Sequence, residues 1–414
     1  MRKNINKLVA FAIGVSIISG SIIPAFAADT TTQDTSITEN VQAQGNIKPV
    51  LTLEDAISAA IGNSNTIFLL GKKINLEEDM LDLQDKKDDS GYDHDNQELI
   101  IKQDKQKKDF QEDVVAQDIT DKYNDLVAQG KALDKIKKQI DIKTKEVSDA
   151  QLKKNLGLIT SIDLTKTQIE IQTLKNSQIN AENTLKNSQD YFQVVIGKDL
   201  SKYTLSQEAN YEVFRIDGSV DNYLDNIIDK YVEYDKESYD LLKDNVKDIK
   251  DTSPEPGAIP TISDFKDKLG ADGITITTKK EDLLKDALAK YTTDTTNYVA
   301  YLSSKYALSG KGVALAEEKK GYKQALNASY SALLNLENNI NVLKSNIGLN
   351  NKQLSNMKLQ YDLGLKTKTD YNNQALISDD LENNLRTLVN NYNKLKNNIQ
   401  KPWAMSASSG STAQ

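Results

Sequence analysis

Cysteine is absent from the 414 residues, and histidine and tryptophan occur once each. Without cysteine there can be no disulfide staple and no thiolate metal site, so stability must come from packing or assembly. The lone histidine, His94, sits between Asp93 and Asp95 and has no second imidazole or thiolate to share a metal with, so it reads as a surface-loop residue. Apolar residues make up only 38% of the chain, too few for a large globular core. Thin helical layers need less core per residue and fit this composition better. No long basic patch interrupts the mixed charges, whose formal sum is −8, and this argues against a nucleic-acid footprint. Ser309-Gly310-Lys311-Gly312 lacks the glycine spacing and the trailing Ser/Thr of a phosphate loop. No nucleophile–base constellation is visible, no cofactor motif is present, and an enzyme is not expected.

Long apolar runs are also missing, with one exception at the start. Arg2, Lys3 and Lys7 precede an apolar run from Leu8 to Ile23, which ends at Ala25-Phe26-Ala27. This is the pattern of a secretory signal peptide over residues 1–27, the alternative being an uncleaved anchor. No cysteine follows the run, so a lipoprotein is excluded. Residues 28–50 read as a flexible polar tail and 401–414 as a Ser/Ala/Gly tail. The mature chain is expected to be exported to the cell envelope or surface.

What is present is a duplication. Leu156-Gly157-Leu158-Ile159-Thr160-Ser161-Ile162-Asp163 returns 207 positions later as Leu363-Gly364-Leu365-Lys366-Thr367-Lys368-Thr369-Asp370. Each copy carries its own physical instructions. Gly157 and Gly364 can take the left-handed conformation that ends a helix. Thr160 and Thr367 can cap the next helix, with Asp163 and Asp370 completing a capping box. The apolar ladder repeats with the same offset: Tyr123 on Tyr330, Leu126 on Leu333, Leu133 on Ile340, Ile140 on Ile347 and Val147 on Leu354. Leu133, Ile140 and Val147 are heptad-spaced, with polar seam residues at Lys143 and Asn350. That spacing fits supercoiled hairpins or an ordinary antiparallel bundle.

The expected organisation is all-α, with two tandem repeats of long antiparallel coiled-coil hairpins. Repeat 1 covers 51–200, a linker 201–217, and repeat 2 covers 218–400 with an insertion at 252–280. Short strands are expected at Tyr211 to Phe214 and at Ile274 to Thr277, and a helix break at Ser309 to Gly312.

The opening Leu51-Thr52-Leu53-Glu54-Asp55-Ala56-Ile57, the duplicated Gly-Leu-x-Thr-x-x-Asp turn and the Val195-Ile196-Gly197 ending together resemble the TolC family of outer-membrane efflux proteins. The resemblance covers about residues 51–400. It implies a protomer of a trimeric helical tube crowned by a β-barrel, acting as the exit duct of efflux or secretion systems and docked to a membrane adaptor. It implies that Gly157, Leu158, Thr160, Asp163, Gly364, Leu365, Thr367 and Asp370 form the entrance tips. The family's acidic gate residue matches Asp370; the next falls on Asn373, which makes a constriction less negative. Asp370 also reads as a simple capping acid. The chain departs from the family at the barrel, since a spanning strand needs about 9–11 alternating residues and neither repeat supplies a pair. The rival reading is a non-conducting coiled-coil spacer or interaction protein of the envelope.

Overall fold

The computed structural model describes residues 48–87, 91–208, 210–271 and 273–404. The expected signal peptide and most of the N-terminal tail lie outside them. The described residues belong to one unit that contains eight α-helices. In repeat 1 these are α1 (Leu53–Gly62), α2 (Asn65–Asp85), α3 (Tyr92–Asn155) and α4 (Ser161–Ile196). In repeat 2 they are α5 (Val220–Tyr231), α6 (Glu233–Thr252), α7 (Lys280–Asp362) and α8 (Lys368–Gln400). At about 1.5 Å per residue, the 64 residues of α3 extend roughly 96 Å and the 83 of α7 roughly 125 Å.

Each repeat is built alike. A long helix packs along the helix that follows the glycine turn, and two shorter helices lie against its other end. Thr52 starts α1 with a full capping box, as the sequence predicts. The two cores occupy equivalent places. Ile119, Leu126 and Phe192 are buried in the first, and Leu326, Leu333 and Ile399 in the second, each pair 207 positions apart. The polar seam positions are satisfied across their own hairpins. Lys143 reaches Glu170 of α4 at 2.8 Å. Buried Asn350 donates to Ser378 of α8 at 2.5 Å and accepts from Gln374 at 2.6 Å.

The repeats are joined along α3 and α8. Asp113 meets Lys401 at 2.6 Å, Gln117 meets Asn397 at 2.7 Å, and Asp121 meets Lys394 at 2.7 Å. Further along, Lys135 meets Asp380 at 2.5 Å and Lys138 meets Asp379 at 2.6 Å. One residue number falls as the other rises, so the helices run antiparallel in a constant register. That register places Gly157 and Gly364 at the same end of the molecule.

Five sequence expectations need correction. His94 is not in a loop but in the first turn of α3. Val50 is not tail: with Leu51 it forms β1, paired in parallel with β2 (Thr204–Leu205) of the linker. Tyr211 to Phe214 is not a strand. Its backbone has no strand beside it and is held by α8 side chains instead, Tyr392 accepting from the Phe214 N–H at 2.8 Å and Asn393 donating to the Asn210 carbonyl at 2.8 Å. Ser309 to Gly312 does not break α7. Pro402–Ala404 is a buried 3-10 turn rather than tail, with Trp403 stacked on Phe110 at 4.2 Å and bonded to Asp113 at 2.7 Å.

The insertion holds a small antiparallel hairpin, β3 (Lys268–Leu269) and β4 (Ile276–Thr278). Its second strand starts two residues after the start of the expected Ile274 to Thr277 segment and ends one residue past it. Among the described residues no strand exceeds three residues, and no helix is long and apolar enough to cross a membrane.

Candidate functional site at the hairpin tips

Both glycine turns fold through backbone chemistry that is local to them. Gly157 and Gly364 have φ of 72° and 73°. Each turn closes as a Schellman motif. Leu158 N–H donates to the Lys153 carbonyl and Gly157 N–H to that of Lys154, at 2.8 and 2.9 Å. Leu365 and Gly364 repeat these bonds to Gln360 and Tyr361 at the same two distances. Two residues later the next helix begins in a capping box. Asp163 N–H donates to Thr160 Oγ1 at 3.2 Å and Thr160 N–H to Asp163 Oδ2 at 3.1 Å. Thr367 and Asp370 make the equivalent bonds at 3.1 and 3.0 Å.

These bonds set the acids' chemistry. The Thr160 hydroxyl and backbone N–H hold Asp163 below the ordinary aspartate range. The Thr367 backbone N–H and hydroxyl do the same for Asp370. Both acids therefore carry full negative charge at neutral pH and act as caps in each copy.

Leu158 and Leu365, at the turn apices, are 69% and 71% exposed. Leu152, Leu156 and Ile162 of the first tip, and Leu359 and Leu363 of the second, are exposed as well. A hairpin tip made only to reverse the chain needs no such apolar surface. The tips also differ: Leu164 is buried after the first turn, while its counterpart Tyr371 stacks on Tyr361 at 6.1 Å.

Asn373 stands one turn after Asp370 and is exposed. It lines a groove of about 410 Å³ between the two hairpins, with Gln139 and Ile142 of α3, Ile169 and Thr173 of α4, and Leu376 of α8. The register thus brings all the sequence-predicted tip residues to one end, and Asn373 to the join between repeats.

Sequence reasoning missed the outer faces of the layer. Near the tips the helices are ordered α4, α3, α8, α7; further away the order is α2, α3, α6, α7. One edge is therefore α2 and α4, and the other is α7. Exposed apolar residues recur at heptad spacing on the edges: Leu69, Leu76 and Leu83 on α2, and Val299, Tyr306 and Val313 on α7. Nearer the tip, α7 exposes Val342, Leu349 and Leu359. The sequence signal was present, because α7 carries a second apolar seam beside its core seam of Leu326, Leu333 and Ile340.

Long duplicated hairpins with their turns together define an all-α fold of antiparallel helical hairpins. No family model matches the sequence, and no curated protein matches it by sequence. Solved structures do match. A structure of CusC, described in connection with transmembrane channel formation, aligns with a TM-score of 0.53 at 11% identity, over 88% of this chain and 95% of that one. A membrane protein from Pseudomonas aeruginosa gives 0.53 at 8% identity, over 86% and 91%. The outer-membrane channel OprN gives 0.50 at 8%, over 85% and 90%. The chain shares the helical fold of these proteins, as the TolC-like resemblance implies, without a closed barrel among the described residues.

Proposed function

We propose that the chain is one protomer of a TolC-type export duct, a homo-oligomer of the cell envelope that is trimeric by resemblance. The observation that carries this reading is the pair of unlike edges. α2 on one side and α7 on the other expose heptad apolar stripes that nothing among the described residues covers. Unlike edges pair head to tail, and such contacts close into a ring when the rotation allows. Stripes of this spacing are what helices use to pack on helices.

In that ring the two tips of every protomer gather at one mouth. Their exposed leucines form the docking surface for a membrane-anchored adaptor. Asp370 contributes a ring of charge, and Asn373 leaves the next level neutral.

The chain has no native cysteine, so designed pairs are unambiguous. Leu76→Cys on α2 combined with Val313→Cys on α7 places one thiol on each edge. A bis-maleimide linker is expected to give a covalent ladder ending at the trimer. Monomer alone, with light scattering showing monomer at micromolar concentration, refutes the duct.

The rival reading, an envelope spacer without a conduit, is favoured by one observation: no described strand can cross a bilayer. A deletion strain decides between them. Loss of export of a substrate supports the duct; unchanged export with altered envelope morphology supports the spacer.

A further inference from the structure

The two hairpins are bonded to one another only part of the way to the tips. Along α3 and α8 the bonds run from Asp113 with Lys401 to Lys138 with Asp379. Closer to the tips no α3–α8 bond is found among the described residues. The reason lies in the register. Asp121 meets Lys394 and Lys135 meets Asp380, and one heptad further the same register sets Ile142 against Asn373. An apolar side chain there faces an amide, which cannot pair with it. The hairpins fork at this point, and the groove of about 410 Å³ lies in the fork.

Ile142 is the buried floor of this groove. Its apolar walls are Ile169 and Leu174 of α4 and Leu376 of α8, with Ile169 60% exposed. Of the lining residues only Lys143 and Glu170 are charged, and they meet at 2.8 Å. Gln139 and Asn373 bring side-chain amides that have no hydrogen-bond partner among the described residues. Elsewhere along the join amides that meet are paired, as Gln117 is with Asn397 at 2.7 Å. The volume falls within the roughly 300–1,000 Å³ of small-molecule clefts. The walls run only about 5–8 Å along each helix. A docked partner helix spreads its anchors over seven residues, about 10 Å, and finds no bed of that length here.

We propose that the fork is a binding site for an uncharged, mainly apolar small molecule with a hydrogen-bonding group. Ile142, Ile169, Leu174 and Leu376 take the apolar body, and the Gln139 and Asn373 amides take the polar group. Lys143 and Glu170 neutralise one another, so the lining offers no free charge to an ionic ligand. The site touches α3, α4 and α8, so its occupant contacts both hairpins at once and ties them together near the tips. The proposal stands whether or not a ring forms, because one protomer supplies every lining residue.

The test titrates N-phenyl-1-naphthylamine into the chain from Ala28 onward. This probe is an uncharged arylamine with a single N–H donor, and its fluorescence rises when it leaves water. Saturable binding of one probe per chain is expected, with slower amide exchange at residues 139–143 and 373–376. Thr173→Trp, which fills the groove from an exposed position, should abolish binding. Ile169→Ser should weaken it about tenfold. The sulfonated probe 8-anilino-1-naphthalenesulfonate should bind more weakly than the uncharged one. Leu76→Ser with Val313→Ser, on the outer edges, should leave binding unchanged. Circular dichroism of each variant confirms the fold. Absence of saturable binding by the folded wild type overturns the proposal, and so does binding that survives Thr173→Trp or is lost in the edge variant. Equal binding of the sulfonated probe overturns the uncharged assignment. Protection of residues 139–143 that grows with protein concentration in the absence of probe gives the groove to a second copy and overturns the proposal too.

Discussion

Changing glycine to alanine at a hairpin turn and inside a helix should move stability in opposite directions. At Gly157 an added Cβ meets no atom within 4 Å, so no clash enters the argument. What remains is φ of 72°, where an L-residue brings Cβ against the following carbonyl at about 1–2 kcal/mol. Alanine also narrows the unfolded ensemble, which returns roughly 0.4–1 kcal/mol. The net expectation for Gly157→Ala is destabilisation of about 0.5–1 kcal/mol. Gly364→Ala should match it, since its φ and both closing bonds are the same. Gly348 lies inside α7, and its added Cβ also meets nothing. There Gly348→Ala should stabilise by about 0.5–1 kcal/mol. Amide exchange at residues 153–163 reads the first tip locally, and thermal melting by circular dichroism reads the whole. Gly157→Asn should recover part of the loss, because asparagine tolerates the left-handed region. Equal effects of the same sign at Gly157 and Gly348 would refute the left-handed assignment.

Removing a cap by Thr160→Ala or Thr367→Ala should cost about 1 kcal/mol each, seen as faster amide exchange in the first turn of α4 or α8. Because their pKa values are depressed, Asp163 and Asp370 stabilise above the unfolded aspartate pKa; this contribution is lost as pH falls through the lower folded value, and Asp370→Asn should flatten that acid limb in a pH-dependent melt. His94 is shifted the other way, raised chiefly by its bond to Asp85. Its contribution is complete below the unfolded histidine pKa and disappears as pH rises through the folded one, a slope that His94→Gln should abolish in melts across neutral pH. Tyr392→Phe removes the acceptor of the Phe214 N–H inside the second core, and should destabilise by about 1–3 kcal/mol in urea unfolding.

Most of the hairpin architecture was legible because its signals are local. A left-handed glycine, a capping threonine and an acid three residues on act within one turn of chain, and they act identically in both copies. The paired seam exceptions Lys143 and Asn350 were visible too, though their partners Glu170, Ser378 and Gln374 come from the neighbouring helix and not from local sequence. What failed to read depends on packing across long separations. Gly312 looked like part of a break, yet a Cβ there would lie 3.0 Å from the Tyr239 ring. Its glycine lets α6 approach α7 closely, so α7 continues through it. Trp403 looked like the start of a tail because its anchors, Phe110 and Asp113, are almost three hundred residues away.

The edges of the layer were hidden for a related reason. Heptad counting finds that a helix has an apolar face without saying what covers it. Two helices with two seams each, such as α2 and α7, can be neighbours or opposite borders. Only the α3–α8 and α3–α6 pairings decide this, and those pairings are carried by scattered ion pairs and amides such as Gln117 with Asn397 and Lys102 with Glu237. Once they are fixed, the order of helices follows. The second seams then become outward-facing, and a chain with so little apolar residue to spend is left with heptad stripes on both borders. Such stripes are costly to leave in water, which makes self-association through unlike edges the simplest physical resolution of this sequence.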